Sequence, residues 1–324
     1  MVKCLDLFAG GGGASLGLHR AGYDVLGVEW DAEAAQHHRD TAGPCLTADV
    51  SDVAAWLPDV LSWLDGEPLA LLWASPPCQD WSSAGGRAGA SGERNGWPWT
   101  WAAVDALRAA GVRVGALVAE NVMGMTHHSK ETCGDVMACP GCYLDGVVMA
   151  DAAHRFEHSG RWACDAADYG VPQHRRRIFV WGAGRDVAPP ARTHHPTGGM
   201  FRPWWVGAGD AGVASAVIRA ECTGATGRAA SSPSPSVTGA GNLYGYALQP
   251  GVRGKPSPTV TATEGKGCAT DSRRASRAFG RRLTVEECAI LQGWPEAAES
   301  SYRIVGNAVP PALAQAVGGC FVGC

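Results

Sequence analysis

The sequence predicts an α/β fold with parallel strands, joined to a second, less regular region. Three observations predict it. Apolar runs at Val2 to Phe8, Val25 to Val28 and Leu69 to Ala74 are separated by helix-like stretches, the succession of βαβ units. The run Leu69-Ala-Leu-Leu-Trp-Ala74 shows no polar alternation, as expected of a strand covered on both faces. From Asp186 to about Gly280 the composition shifts to Gly, Pro, Ser, Thr and Ala. A chain of 324 residues suits one large domain with a smaller one.

Composition narrows the classes. No run of 18 apolar residues is present, so no membrane-spanning helix is expected. The N-terminus enters a strand without a basic, apolar, small-residue signal pattern. Twelve scattered cysteines read as reduced thiols in a cytoplasm, with a metal site as the exception to test. The net charge of −4 argues against general adhesion to nucleic acid. Local basic stretches remain at Gln173 to Arg177 and at Arg273 to Arg282, which holds five arginines.

The first strand ends at Gly10-Gly-Gly-Gly13, followed by a helix from Ala14 to Ala21. Strand, glycine turn and helix open a nucleotide-binding unit, because backbone can approach a cofactor closely at the free N–H groups. The next strand ends in Glu29-Trp30-Asp31, an acid at the spacing that holds a ribose hydroxyl beside an indole able to stack on adenine. Asp49, at the end of a third strand reaching Val50, suits an adenine amino group. The glycines lack a following Gly-Lys-Ser/Thr, which argues against a triphosphate; a plain flexible turn is the alternative.

A helix from Val53 to Trp63 leads to the buried strand and then to Ser75-Pro-Pro-Cys78. Pro76 and Pro77 hold Cys78 in an extended turn at a strand's carboxyl end, where open α/β sheets bind ligands. A thiol there is a candidate nucleophile or one more small buried hydrophobe. Ser82 to Asn95, rich in Gly, Ser, Ala and Arg, reads as a lid-like loop. Trp97, Trp99 and Trp101 open a helix to Ala110 and read as packing residues. The strand from Gly115 ends at Glu120-Asn-Val122, a carboxylate on the edge that carries Cys78.

Cys133, Cys139 and Cys142, the last two as Cys-Pro-Gly-Cys, form a candidate structural zinc half-site. His127, His128 or His154 could supply a fourth ligand, and free thiols in a loop are the alternative. A helix from Val147 to His158 and a strand near Trp162 precede Tyr169 to Val180, where a basic stretch runs into a strand. If Arg175 and Arg177 alternate with Arg176, they share one face of it. Ser234-Pro-Ser-Val-Thr238 recurs as Ser257-Pro-Thr-Val-Thr261, two short β units. Thr284-Val-Glu-Glu287 is a capping box opening a helix to Gln292, and Pro311 suits the first turn of a terminal helix, Ala312 to Phe321.

In this order the pieces resemble the C5-cytosine DNA methyltransferase family over nearly the whole chain. Asp6-Leu-Phe-Ala-Gly-Gly-Gly-Gly13 resembles its opening motif, Glu29-Trp30 and Asp49 its ribose and adenine contacts, Pro77-Cys-Gln79 its catalytic loop, and Glu120-Asn-Val122 its acid motif. Gln173-x-Arg-x-Arg177, Arg282 to Trp294 and Gly306-Asn-Ala-Val309 resemble its later motifs. Trp81 departs from the usual Phe, and the cysteine-rich insert and doubled Pro-x-Val-Thr unit are not general.

The resemblance implies a Rossmann-like methyltransferase: a doubly wound, mostly parallel sheet with a second, smaller, irregular target-recognition domain. The expected division is 1–185 for the catalytic, S-adenosylmethionine-binding domain and 186–280 for recognition. A bracing helix and a returning terminal helix then fill 281–324. It implies Cys78, Gln79, Glu120, Arg175 and Arg177 as catalytic residues. The cofactor pocket takes Asp6, Phe8, Gly10, Gly12, Gly13, Glu29, Trp30, Asp49, Val50, Pro77, Asn307, Ala308 and Val309. Gln173, Ser82, Arg87, Arg273 and Arg274 face DNA. The expected enzyme is a cytoplasmic monomer that flips a cytosine from duplex DNA and methylates C5 through a Cys–C6 adduct. Methylation of tRNA, transfer of a modified methyl group and an inactive DNA-binding module are the rivals.

Overall fold

The structure is a computed structural model that describes residues 1–77, 92, 95–171, 173–195, 206–207, 216–218, 246–248, 260, 284–294 and 300–324. Its centre is one sheet of seven strands: β1 (Val2–Leu7), β2 (Tyr23–Glu29), β3 (Cys45–Thr47), β4 (Leu69–Ala74), β5 (Val114–Val122), β6 (His158–Asp165) and β7 (Arg176–Ala183). The spatial order is β3-β2-β1-β4-β5-β7-β6. The first five strands are parallel, and β7 runs antiparallel to both β5 and β6. After β1 the chain builds outward to β3, then crosses back to lay β4 on the other side of β1. That reversal is the switch point where doubly wound sheets open a ligand crevice.

Helices cover both faces, as the apolar character of β4 requires. On one face Leu5, Leu7, Val28 and Leu72 pack against Trp56 and Val60 of α3 (Val53–Leu64) and Trp97, Trp101 and Leu107 of α4 (Trp97–Ala109). The expected packing role of these tryptophans is thereby seen. On the other face Cys4, Val25, Trp73 and Phe179 meet Leu18 of α1 (Gly13–Arg20) and the C-terminal helix. A side chain at Gly17 would put its Cβ 2.1 Å from the Pro311 carbonyl oxygen, so glycine is what lets the C-terminal segment lie against α1. Tyr23 Oη donates to the Gly318 carbonyl at 3.0 Å, closing the first and last segments together.

The remaining elements include α2 (Ala32–Ala42), α5 (Pro140–Tyr143) and α6 (Met149–Arg155). The last three are α7 (Val285–Leu291), α8 (Tyr302–Asn307) and α9 (Pro311–Gly319). Thr284 makes the expected capping box: its hydroxyl accepts the Glu287 N–H, and the Glu287 carboxylate accepts the Thr284 N–H at 2.9 Å. A third core joins Ala34 of α2 to Cys288, Leu291, Trp294, Ile304, Val305 and Val260.

Two boundaries differ from the sequence reading by three residues. The third strand stops at Thr47, leaving Asp49 and Val50 in the turn beyond it. The helix expected to reach His158 ends at Arg155, because His158 pairs with Ala183 at the start of β6. Of the recognition region, two short ladders are described: His194–His195 with Val206–Gly207, and Ala216–Ile218 with Tyr246–Leu248. The first Pro-Ser-Val-Thr unit, Arg273 and Arg274 lie outside the described residues. Among the described residues no helix is long and apolar enough to cross a membrane.

Candidate active site

Parallel strands deliver the site. Leu7 of β1 is in register with Val28 of β2 and Ala74 of β4. The segments after β1, β2, β3 and β4 therefore leave one sheet edge side by side. Phe8 (φ 57°) and Gly10 (φ 53°) both lie in the left-handed region, which turns the chain sharply off β1. Space beside Gly10 is open, whereas a Cβ at Gly12 or Gly13 would meet Ala42 or the Val309 carbonyl. The glycines thus serve two purposes, an open pocket wall and a close seat for the last motif.

Glu29 is buried at the end of β2, where its two oxygens accept the N–H groups of Gly10 at 2.8 Å and Asp31 at 2.9 Å. Burial raises its pKa, against the pull of those two amides. Trp30, next to it, is 69% exposed. Val50 is buried, and the Asp49 carboxylate accepts the Ser51 N–H at 2.8 Å. Asn307 is exposed, while Ala308 and Val309 pack inward. Open space at Gly10, an exposed indole and a buried acid on adjoining strand ends fit an adenosine-bearing cofactor.

Asp6, expected in the cofactor pocket, faces the opposite way. The alternation of β1 turns it away from the pocket, and it is fully buried on the face covered by α1 and α9. One carboxyl oxygen lies 2.6 Å from Ser15 Oγ, and the other has no partner among the described residues. Burial pushes its pKa up to about 7, against the Ser15 hydrogen bond.

The second half of the site lies at the ends of β4 and β5. Glu120 Oε1 is 2.7 Å from Arg177 Nε, and both side chains are almost wholly enclosed. The neighbouring Asn121 Nδ2 donates to the Pro76 carbonyl at 3.2 Å, tying the tail of β5 to the turn after β4. Gly96, before α4, packs on the same turn: a Cβ there would lie 2.7 Å from Pro77 Cδ and 2.8 Å from Pro76 Cβ. Cys78, Gln79, Ser82 and Arg87 lie outside the described residues, as does most of the expected lid.

The basic motif divides its labour differently from the reading. Arg177 joins Glu120, but Arg175 points the other way and is buried. Its guanidinium donates to the carbonyls of Val260 and Gly306, each at 3.0 Å. Gln173, expected on DNA, is fully buried too. Its amide donates to the Leu291 carbonyl and to Gln292, and accepts the Val260 N–H at 2.9 Å. Both residues bind α7 and α8 to the sheet, and that enclosure is why neither faces DNA here.

Arg303 goes unmarked in the sequence. Arg303 pairs with both Asp31 oxygens and with Glu33, all at 2.9–3.0 Å, and so clamps α8 beside Trp30. In the sequence Asn121 is marked only as a member of the Glu120 motif, and His128 only as one of three histidine candidates. Arg303 and Asn121 depend on partners distant in sequence, so no local pattern marks their roles. His128, rather than His127 or His154, joins Cys133, Cys139 and Cys142: one ligand atom from each lies within 4.8 Å of the others.

The family model for C-5 cytosine-specific DNA methylase matches residues 2–197 and 224–321. The chain belongs to that family. It is a DNA (cytosine-5-)-methyltransferase, whose activity implies DNA as substrate and S-adenosylmethionine as methyl donor. The methylase is 30% identical over 328 residues to the type II methyltransferase M.AplI of Arthrospira platensis, covering 97% of this chain and 83% of the relative. It is 27% identical over 341 residues to the type II methyltransferase M.NaeI of Lentzea aerocolonigenes, covering 98% and 74%. Its fold is similar to that of the S. pombe Dnmt2 methyltransferase, with a TM-score of 0.54, 14% identity and 98% of each chain covered. The Entamoeba histolytica methyltransferase EhMeth has the same TM-score at 10% identity, covering 99% and 98%.

Proposed function

We propose that Cys78, Glu120 and Arg177 carry the methylation chemistry and that residues 186–280 choose the DNA target. The observation that supports this reading is the Glu120–Arg177 pair, one residue from an Asn121 hydrogen bond to Pro76. The carboxylate is thereby held beside the turn whose next residues are Pro77 and Cys78.

Cytosine C5 is a poor nucleophile, since its ring is aromatic and electron-poor. Attack of the Cys78 thiolate forms a sulfur–C6 bond and moves the C5–C6 π pair toward C5. Negative charge also develops at N3, where Glu120, acting in its protonated form, donates a hydrogen bond or its proton. Arg177 is a positioning residue that holds Glu120 Oε1. S-adenosylmethionine, when bound, supplies an electrophilic sulfonium methyl for the activated C5. A base then removes the C5 proton, and the electron pair left behind expels Cys78. C6 is unreachable in a stacked duplex, so the cytosine is flipped out.

Glu29, Trp30, Asp49, Val50 and the Gly10 turn would hold the donor, with Asn307 to Val309 closing the pocket from the C-terminal side. Gln79, Ser82, Arg87, Arg273 and Arg274 keep their sequence-based assignment to the loop and to DNA. The names of M.AplI and M.NaeI support a type II modification role, and a cytoplasmic monomer is in keeping with it. One structural zinc on the cysteine cluster belongs to the same reading, because the cytosine chemistry needs no metal.

Nucleoside mass spectrometry after incubation with DNA and methyl-labelled donor tests the chemistry. Labelled 5-methylcytosine is expected. Another labelled adduct, label entering tRNA and not DNA, or no product would each overturn the proposal.

A further inference from the structure

We propose that His128 Nδ1 and the thiolates of Cys133, Cys139 and Cys142 bind one zinc ion, and that this ion holds Tyr143 against Asn95 at the start of α4. The inference deepens the zinc reading by adding the fourth ligand, its orienting group and its mechanical task.

The distances suit a tetrahedral ion. With Zn–S near 2.3 Å and Zn–N near 2.0–2.1 Å, tetrahedral edges come to about 3.8 Å for S···S and about 3.5 Å for N···S. Here Cys133 and Cys142 sulfurs are 3.9 Å apart, and His128 Nδ1 lies 3.6 Å from Cys142 and 3.8 Å from Cys133. Cys139, buried beneath them, completes the four. Three soft sulfurs and one imidazole select zinc over hard cations, and four protein ligands make a closed, structural site.

The surroundings orient these ligands. Asp145 Oδ2 is 3.2 Å from His128 Nε2, which places the proton on Nε2 and leaves the Nδ1 lone pair toward the sulfurs. Arg161 in turn pairs with Asp145. The Gly134 N–H donates to Cys142 Sγ at 3.2 Å, a contact that stabilises a thiolate. Gly141 has a steric task, since a Cβ there would lie 2.6 Å from His128 Cδ2. Binding displaces the three thiol protons to solvent and changes no oxidation state.

The site is stapled to the fold through the next residue. Tyr143 Oη accepts from Asn95 Nδ2 at 2.9 Å, both residues being buried. Asn95 precedes Gly96, which packs on Pro76 and Pro77. An ion on Cys139 and Cys142 therefore fixes α5, and through it the seat of the turn after β4.

The test is elemental analysis of the full-length chain purified without chelators from zinc-supplied cells. One equivalent of zinc is expected, and cobalt substitution should give the intense visible bands of a tetrahedral thiolate site. Less than a tenth of an equivalent, with none gained on adding zinc, overturns the site. So does one equivalent retained in Cys139→Ser/Cys142→Ser. His128→Cys should keep the zinc, and Asp145→Asn should weaken it about 10–100-fold; unchanged affinity in Asp145→Asn removes its orienting role. Removing zinc should speed amide hydrogen exchange around Tyr143 and Asn95, and unchanged exchange at Asn95 overturns the clamp. None of these readouts uses methylation, so they fail or succeed independently of the catalytic assignment.

Discussion

Arg177 Nε lies 2.7 Å from Glu120 Oε1, across two antiparallel strands that pair Val122 with Arg177 and Glu120 with Phe179. The two residues are diagonal neighbours on one face, a placement set by register. A carboxylate is thus oriented by a cation at the tail of β5, where Asn121 also reaches Pro76.

The catalytic assignment predicts a trapped complex. DNA carrying 5-fluorocytosine at the target should react through attack and methyl transfer, but fluorine cannot leave as a cation, so elimination fails. Protein and DNA should remain joined in a band that survives denaturation. Cys78→Ser should give no band, and Glu120→Gln should form it about 10²–10⁴-fold more slowly. Arg177→Ala should also slow trapping and cost about 1.5–3 kcal/mol of stability. Donor-dependent trapping that persists in Cys78→Ser, or maps to Cys45, would falsify the assignment.

The burial of Arg175 predicts a split among three consecutive arginines. Arg176 is exposed, so Arg176→Ala should flatten the salt dependence of DNA binding by about one unit if it meets a phosphate. Arg175→Met should leave that slope unchanged while lowering the melting temperature, because two backbone carbonyls lose their donor. A reduced slope in Arg175→Met would show that the arginine turns outward onto DNA.

Trp30 predicts an effect confined to the cofactor. Its side chain is exposed, so Trp30→Ala should leave thermal stability nearly untouched. Loss of a stacking face worth about 0.5–1.5 kcal/mol should weaken donor binding by about twofold to about tenfold, read by calorimetry. Unchanged donor affinity would remove Trp30 from the pocket.

Asp6 predicts a pH signature. Ser15 Oγ lies 2.6 Å from Asp6 and 2.9 Å from His38 Nε2, while His38 Nδ1 faces the Gly43 carbonyl. The single Ser15 hydroxyl proton can be donated to only one of these neighbours, and the Ser15 oxygen accepts from the other. Burial pushes Asp6 up to about 7 and His38 down to about 4, so both are neutral between those values. An acid with a raised folded pKa contributes stability below its unfolded value near 3.8 and loses it as pH rises through about 7. His38, depressed from 6.5, acts with the opposite sign in the same window. The stability of wild type relative to Asp6→Asn should therefore fall between pH 4 and 7, by up to about 4 kcal/mol. Denaturant melts at several pH values check it; a flat difference means that Asp6 stays ionised.

Where the reading met the structure, the deciding feature was whether an interaction was local. The Thr284 capping box spans four residues, and Leu69–Ala74 declares its two-sided burial by composition; both appear as read. Gln173 and Arg175 look from their charge and polarity like surface contacts. They are buried because Leu291, Val260 and Gly306, between 85 and 131 positions away, return to them. Among the three cysteines' histidine candidates, spacing could not choose, since the turn that swings His128 toward them forms only when Gly141 makes room.

The sequence by itself determined the α/β class, the order of the motifs and the family, because these follow from apolar period, glycine and proline positions, and short runs of reactive residues. Tertiary structure decided which side chain of each motif faces the pocket. Strand alternation turned Asp6 inward, sheet register paired Arg177 with Glu120, and chain return enclosed Gln173 and Arg175. A motif names the residues that meet; only the packing of distant segments determines which of their faces remain for a ligand.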